Sequence, residues 1–235
     1  MDLSYFMRER TRIIRLFYEE ARIPFEQLKQ RIEDGVSPFE PPPFNPDYDS
    51  EEPPFLNEWM EAEQTRELVG MLAVSLLSDT LRLYFMALER EIGLEFTSKE
   101  ARKQHFKKGF VEAYRQILEH IMGEIYASCP IRFDLIEQVV LARNDFHHSN
   151  DFLTFQSNHN IKTLEKHPNP FFVSEDRQRW DVEQDMPWHG LPIEVSRERL
   201  LEAITEVEKL ADWVQDNDAT IWAWRRGTRK AKDDG

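Results

Sequence analysis

Eight polar positions, interrupted only by Phe146, close an apolar stretch past the middle of the chain: Arg143, Asn144, Asp145, His147, His148, Ser149, Asn150 and Asp151. A core helix usually ends on one capping residue, so this density asks for another explanation. The side-chain types fit phosphodiester cleavage. A histidine exchanges a proton near neutral pH. An arginine offers a fixed fork of donors to a phosphate and to the charge that develops on it. An asparagine orients either one. No metal is required when an RNA 2′-hydroxyl is the nucleophile. On a helix, Arg143 and His147 stand ~40° apart, as do Asn144 and His148, whereas Arg143 and His148 stand ~140° apart. Joint action of Arg143 and His148 therefore needs a helix end between them, an arginine that reaches round, or a site shared by two protomers.

The elements that must carry these residues read as helices. Glycine is scarce, with 8 residues in 235, which leaves few of the tight turns that join strands. Leu3, Phe6, Met7, Ile13, Ile14, Phe17 and Ala21 recur at helical spacing. Pro24 opens a second, shorter helix with Phe25, Leu28 and Ile32, and Gly35 stops it. Residues 37–56 hold seven of the 13 prolines, and Glu40 to Glu63 hold eight acids and no Lys or Arg, so an extended acidic connection is expected. A long helix runs from Asn57 to Ile92, apolar nearly all round from Leu68 to Leu88 and therefore buried on several sides. Ser75, Asp79 and Arg82 form a polar line within it. Asp79 either pairs with Arg82 or orients a catalytic group.

Ser98 or Thr97 caps a further helix striped by Phe106, Phe110, Tyr114, Ile117, Ile121 and Ile125 up to Pro130. Residues 99–115 carry six cations against two acids, an island in a chain of net charge -14. Such an island is either a solvated helix face or a surface that tracks phosphates, with Lys103, Lys107 and Lys108 as its RNA-binding residues. Ile136, Val139 and Val140 lead the next helix into Arg143. Residues 152–190 lose periodicity and read as an insertion with little regular structure. Ser196 caps a helix with Leu200, Ile204, Val207, Ala211 and Val214 on one face, and a basic, aromatic tail with Trp222, Trp224, Arg225, Arg226, Arg229 and Lys230 forms a short docked helix. The expected architecture is all-α, a bundle of about five or six helices with one long insertion. The expected organisation is N-terminal helices over 1–36 packed on the core, a connection over 37–56, a helical domain over 57–216 with its insertion, and a tail over 217–235.

Arg143-Asn144 followed by His148, with four residues between Arg143 and His148, resembles the R-x(4–6)-H signature of the HEPN superfamily (higher eukaryotes and prokaryotes nucleotide-binding domain). A polar residue, commonly Asn, directly after the Arg is part of that pattern; His147 falls one residue short of it. The long buried helix with an internal acid, the motif helix and a final helix after an insertion are similar to the superfamily's layout over roughly residues 57–216. The resemblance implies a metal-independent endoribonuclease without a cofactor, of the kind found in toxin–antitoxin, abortive-infection and CRISPR systems. It implies a homodimer with two motifs facing one cleft, an RNA substrate and an antitoxin or other protein partner. Carried over, Arg143 holds the scissile phosphate, His148 is general base or acid, and Asn144 positions one of them. His147 assists, and Asp79 is the acid on the preceding core helix. One toxin subgroup has a Tyr two residues after the His, modified by its antitoxin; Asn150 stands there in this chain, which speaks against that regulation. Some members keep the fold without activity, so a non-catalytic module for protein–protein interaction or RNA or nucleotide binding is the alternative.

Other chemistries fit less well. His147, His148, Asp151, His159 and His167 offer metal ligands, but no His-x(3)-His pair or His-Glu-x-x-His is present. Cys129, the single cysteine, has no companion motif and excludes an internal disulfide framework. The acidic balance argues against a protein that coats nucleic acid, though not against a narrow basic cleft. No unbroken apolar run approaches the ~18 residues of a membrane span, so no membrane partner and a cytoplasmic location are expected.

Overall fold

The computed structural model describes residues 2–43, 52–148, 161–173 and 193–233. Among them the chain is all-α, with α1 Leu3–Glu33, α2 Leu56–Ile92, α3 Lys99–His105, α4 Phe110–Met122, α5 Phe133–His147, α6 Ile161–Lys166, α7 Arg197–Asp216 and α8 Asp218–Asp233. Eight helices among the described residues correct the expected five or six.

Each miscount has a local cause. The two N-terminal helices are one, because Pro24 lies inside α1. Pro24 and Glu20 are both exposed, so the carbonyl that Pro24 cannot serve faces water. The single helix expected after Ser98 is four pieces: α3, a 3-10 turn, α4 and a second 3-10 stretch over Gly123–Ser128. Ser98 does cap α3, accepting the Ala101 N–H at 3.0 Å. Gly109, however, stands at φ +114° and Gly123 at φ +55°, which no L side chain adopts cheaply, and a short 3-10 turn precedes Gly109 at Phe106–Lys108. The insertion contains α6, and its returning chain pairs with itself: Val173 and Ile193 form an isolated antiparallel bridge, and the Glu194 N–H donates to the Phe172 carbonyl at 2.7 Å. The tail is a 16-residue helix, not a short one. Residues 44–51, 149–160 and 174–192 lie outside the described residues, and with them the middle of the acidic connection and Ser149, Asn150, Asp151 and His159.

α2 is the axis of the fold, packed by α1, α5, α7 and α8. Leu77, Leu81 and Phe85 are fully buried on it, against Leu118 of α4, Ile136 and Val139 of α5, and Leu200, Ile204 and Leu210 of α7. An 18-residue window of α2 reaches mean hydropathy 1.4, long and apolar enough to cross a bilayer, although 67% of it is buried inside the protein. The unbroken runs stay short because Gly70, Ser75, Ser78, Asp79, Thr80 and Arg82 interrupt them while the average stays apolar. Gly70 lets α2 approach the segment before α7: a Cβ there would lie 2.8 Å from the Val195 Cβ.

Polar contacts fix α1 to α7. The hydroxyl of the buried Ser4 donates to Asp212 Oδ1 at 2.5 Å, and that of the buried Thr11 to Glu208 Oε1 at 2.5 Å. Arg8 and Arg15 add ion pairs to the same two acids.

Candidate functional site

The candidate residues sit at the end of a helix that is tied down along most of its length. At its start, Glu206 of α7, only 1% exposed, accepts the Arg132 N–H at 2.8 Å and so serves a backbone donor that no side chain of α5 itself caps. Asp134 in the first turn suits the positive end of the helix dipole. In the middle, Glu137 holds Lys166 and, at 3.2 Å, the buried His167, which anchors the end of α6. Gln138 Oε1 accepts the Phe171 N–H. From α7, the Arg199 guanidinium donates to the Phe171 and Val173 carbonyls at 2.6 and 2.5 Å, so the returning chain is pinned between α5 and α7.

The last turn is different. Arg143 is half-buried and Asn144 is half-buried, while His147 and His148 are exposed. α5 ends at His147, and His148 follows at φ -119°, ψ 26°. Its N–H still donates to the Asn144 carbonyl at 2.9 Å, so its backbone stays above Asn144 as on a continuing helix. The azimuth between Arg143 and His148 therefore stays wide. The side chain narrows it: Arg143 Nη1 donates to Asn144 Oδ1 at 3.3 Å, turning the guanidinium toward the side that carries His148. Arg143 leans toward Asn144, and among the described residues no hydrogen bond joins it to His148. The His147 ring meets Phe146 edge-on at 5.1 Å. Among the described residues, no hydrogen bond or ion pair links Arg143, Asn144, His147 or His148 to anything beyond this turn.

The other predicted residues are not gathered here. Asp79 is half-buried on α2 and bonds neither Arg143 nor Arg82, so the expected Asp79–Arg82 pair is not formed. Lys103 lies on α3 and Lys107 and Lys108 on the 3-10 turn after it; all three are exposed and bond none of the α5 residues. Their neighbours in the island are engaged. Arg102 pairs with Glu89 and lies over the Phe96 and Phe106 rings at 5.3 and 4.9 Å. Arg115 pairs with Glu112 at 2.8 Å, which holds the Glu112 carboxyl down to about 2. The Glu89 carboxyl is lowered too, first by the Arg102 hydrogen bond and further by the Tyr114 hydroxyl at 2.7 Å.

Asp145, counted in the polar cluster but given no role from the sequence, is 8% exposed on the far side of α5. With Gln138 and Ala142 it lines a small cleft closed by Pro170, Phe171, Phe172, Val173 and Ile193. The spacing of Gln138, Ala142 and Asp145, by four and three residues, was the signal that they share a face. Glu206 was missed as well, being one acid among many on α7. Cys129 is half-buried and burial raises its thiol above the ordinary value, the opposite of an activated nucleophile. Among the described residues no three His, Cys, Asp or Glu side chains converge as metal ligands. Comparison of the chain with protein families, with curated proteins and with solved structures finds no match.

Proposed function

We propose that the chain is a metal-independent endoribonuclease of the HEPN kind, acting as a homodimer in a toxin or defence role. The observation that carries this reading is the unspent polar turn at the end of α5: Arg143, Asn144, His147 and His148 hold together a donor fork and two imidazoles, yet among the described residues their side chains bond to no other element of the fold. Polar side chains that do structural work on this helix, such as Glu137 and Gln138, are bonded across elements. In the proposed reaction the 2′-hydroxyl of RNA gives its proton to His148 and attacks the adjacent phosphorus. Arg143, steered by Asn144, meets the negative charge that builds on the phosphoryl oxygens. The bond to the 5′-oxygen breaks, that oxygen takes up a proton, and a 2′,3′-cyclic phosphate remains. Lys103, Lys107 and Lys108 extend the path of the RNA backbone.

The test is cleavage of single-stranded RNA by purified protein in EDTA, with the ends identified. Cyclic-phosphate and 5′-hydroxyl ends are expected, and Arg143→Ala and His148→Ala should each lower the rate by about 100-fold or more. RNA that is bound and left whole favours the non-catalytic module. Cleavage that survives both substitutions ends the catalytic assignment.

A further inference from the structure

The outward side of α2 is apolar where a helix surface is usually charged. Leu72, Leu76 and Leu83 are 39%, 46% and 41% exposed. At ~100° and ~1.5 Å per residue they fall on one strip about 40° wide and about 16 Å long. Asp79 lies along the edge of that strip between Leu76 and Leu83, and Arg82, exposed, flanks it on the same side. The two are three residues apart, close enough to pair on one helix. They do not pair, and neither has a hydrogen bond or ion pair among the described residues. Two other acids of α2 that are at least half-buried are engaged: Glu63 by Lys29 and Arg66, Glu89 by Arg102 and Tyr114.

We infer that a second copy of this chain covers the strip, with the two α2 helices antiparallel and Asp79 of each copy paired with Arg82 of the other. Between Leu76 and Leu83 the strip is complementary to itself once reversed, while Leu72 falls level with residue 89 of the other copy and lies toward the rim. A two-fold axis between Thr80 and Leu81 sets each Asp79 level with the other copy's Arg82. It also brings each Leu76 to within about 3 Å, along the axis, of the other Leu83. In an antiparallel pair the same flank of each helix meets across the two-fold, and Asp79 and Arg82 share a flank. Both ion pairs therefore form on one side of the leucine seam. A partner of a single charge sign would satisfy one of these groups and repel the other. A stable pair needs ~1,200–2,000 Å² of buried surface, so the strip is the centre of an interface whose rim extends to neighbouring elements. This deepens the paired-copy part of the reading above and rests on it for the purpose of pairing, while its observations stand apart from the RNA chemistry.

Sedimentation equilibrium on the full chain at micromolar concentration tests it. The unaltered chain should be dimeric. Asp79→Arg sets two bases against two bases, and Arg82→Asp sets acid against acid, so each variant alone should weaken pairing by about 100-fold. Mixed in equal amounts, the two should form a heterodimer, since one brings only bases and the other only acids. Leu76→Asp should be monomeric with unchanged helical circular dichroism. An unaltered chain that stays monomeric at tens of micromolar overturns the interface, as do single variants that pair normally or a mixture that stays monomeric. A dimer that leaves RNA uncut in EDTA ends the nuclease reading and keeps the interface; a monomer that cuts does the reverse.

Discussion

One substitution tests the packing that holds α2 against the segment before α7, because elementary helix energetics and the structure give it opposite signs. Replacing glycine by alanine inside a helix ordinarily stabilises it by ~0.5–1 kcal/mol, since glycine loses the most backbone freedom on folding. At Gly70 the added Cβ would meet the Val195 Cβ at 2.8 Å, the Val195 carbonyl at 3.3 Å and Cγ1 at 3.4 Å. Carbon atoms attract best at ~3.5–4.0 Å, so the first contact overlaps by most of an ångström. Val195 cannot retreat freely. It is buried, its carbonyl accepts the Tyr18 hydroxyl at 3.3 Å, and it lies between the Ile193 bridge and the Ser196 cap of α7. Forcing an extra carbon into such a place costs ~1–3 kcal/mol. The helix gain offsets part of that, so Gly70→Ala should lose about 1–2 kcal/mol. Gly227→Ala is the control: it lies in α8, exposed, with nothing within 4 Å of the added carbon, and should gain ~0.5–1 kcal/mol. Denaturant unfolding of both variants beside the unaltered chain reads the difference. Repeating Gly70→Ala on a Val195→Gly background should remove most of the loss, because the opposing Cβ is gone. If Gly70→Ala is as stable as the unaltered chain while Gly227→Ala behaves as expected, the close approach of α2 to Val195 is wrong.

Three further outcomes follow from the same geometry. Glu63, bonded first to Arg66 and then to Lys29, titrates near 2 instead of its ordinary 4.5; a depressed carboxyl stabilises the fold above the unfolded value and loses that contribution as pH falls from about 4.5 to about 2. Glu63→Gln should flatten the acid limb of a stability-against-pH curve by ~1–2 kcal/mol after solvent screening, and an unchanged limb would dismiss the pair's role. Glu206→Ala should cost ~2–4 kcal/mol in unfolding free energy because it strands the Arg132 N–H, while Glu206→Gln keeps an acceptor there and should cost less; equal losses would count against the cap. Lys103, Lys107 and Lys108 changed together to Glu should leave thermal unfolding alone and lower the salt dependence of RNA binding by roughly two in log–log slope, with an unaltered slope as the refuting result.

What was legible in the sequence depended on how far apart the causes lie. The stripe of α7 and its Ser196 cap are local, and Ser196 Oγ does accept the Arg199 N–H at 3.3 Å. The break at Gly109 is local too, but glycine is tolerated within helices, and only the turn at Phe106–Lys108 shows that the chain changes direction there. Pro24 erred the other way: a proline on the wet side of a long helix costs one carbonyl partner, which water replaces. The acid that caps α5 was invisible, because Glu206 and Arg132 are remote in the chain and nothing in either one's neighbourhood names the other. The order of polar residues in the α5 turn was readable, whereas the lean of Arg143 toward Asn144 is a matter of rotamer and could not be. The length and apolar middle of α2 were readable, but not which side would stay uncovered, since that depends on where α1, α5 and α7 pack.

The anchoring of α5 bears directly on the chemistry proposed for its end. Stabilisation of a developing charge is effective when the donor is already in place and spends nothing on reorganisation. Arg132 and Glu206 hold the first turn, and Glu137 and Gln138 hold the middle, so the direction of the helix axis at Arg143 is set by contacts that involve none of the candidate residues. The same division explains how a chain of net charge -14 presents free cations. Glu63, Glu89, Glu112, Glu137, Glu206, Glu208 and Asp212 are bound to internal bases. Lys103, Lys107 and Lys108 are not so bound, and stand exposed on α3 and its turn. Bulk charge measures the sum of both populations, while an RNA strand within a Debye length of ~8–10 Å meets chiefly the unpaired one. A strongly acidic chain can for that reason still carry a local surface suited to phosphate.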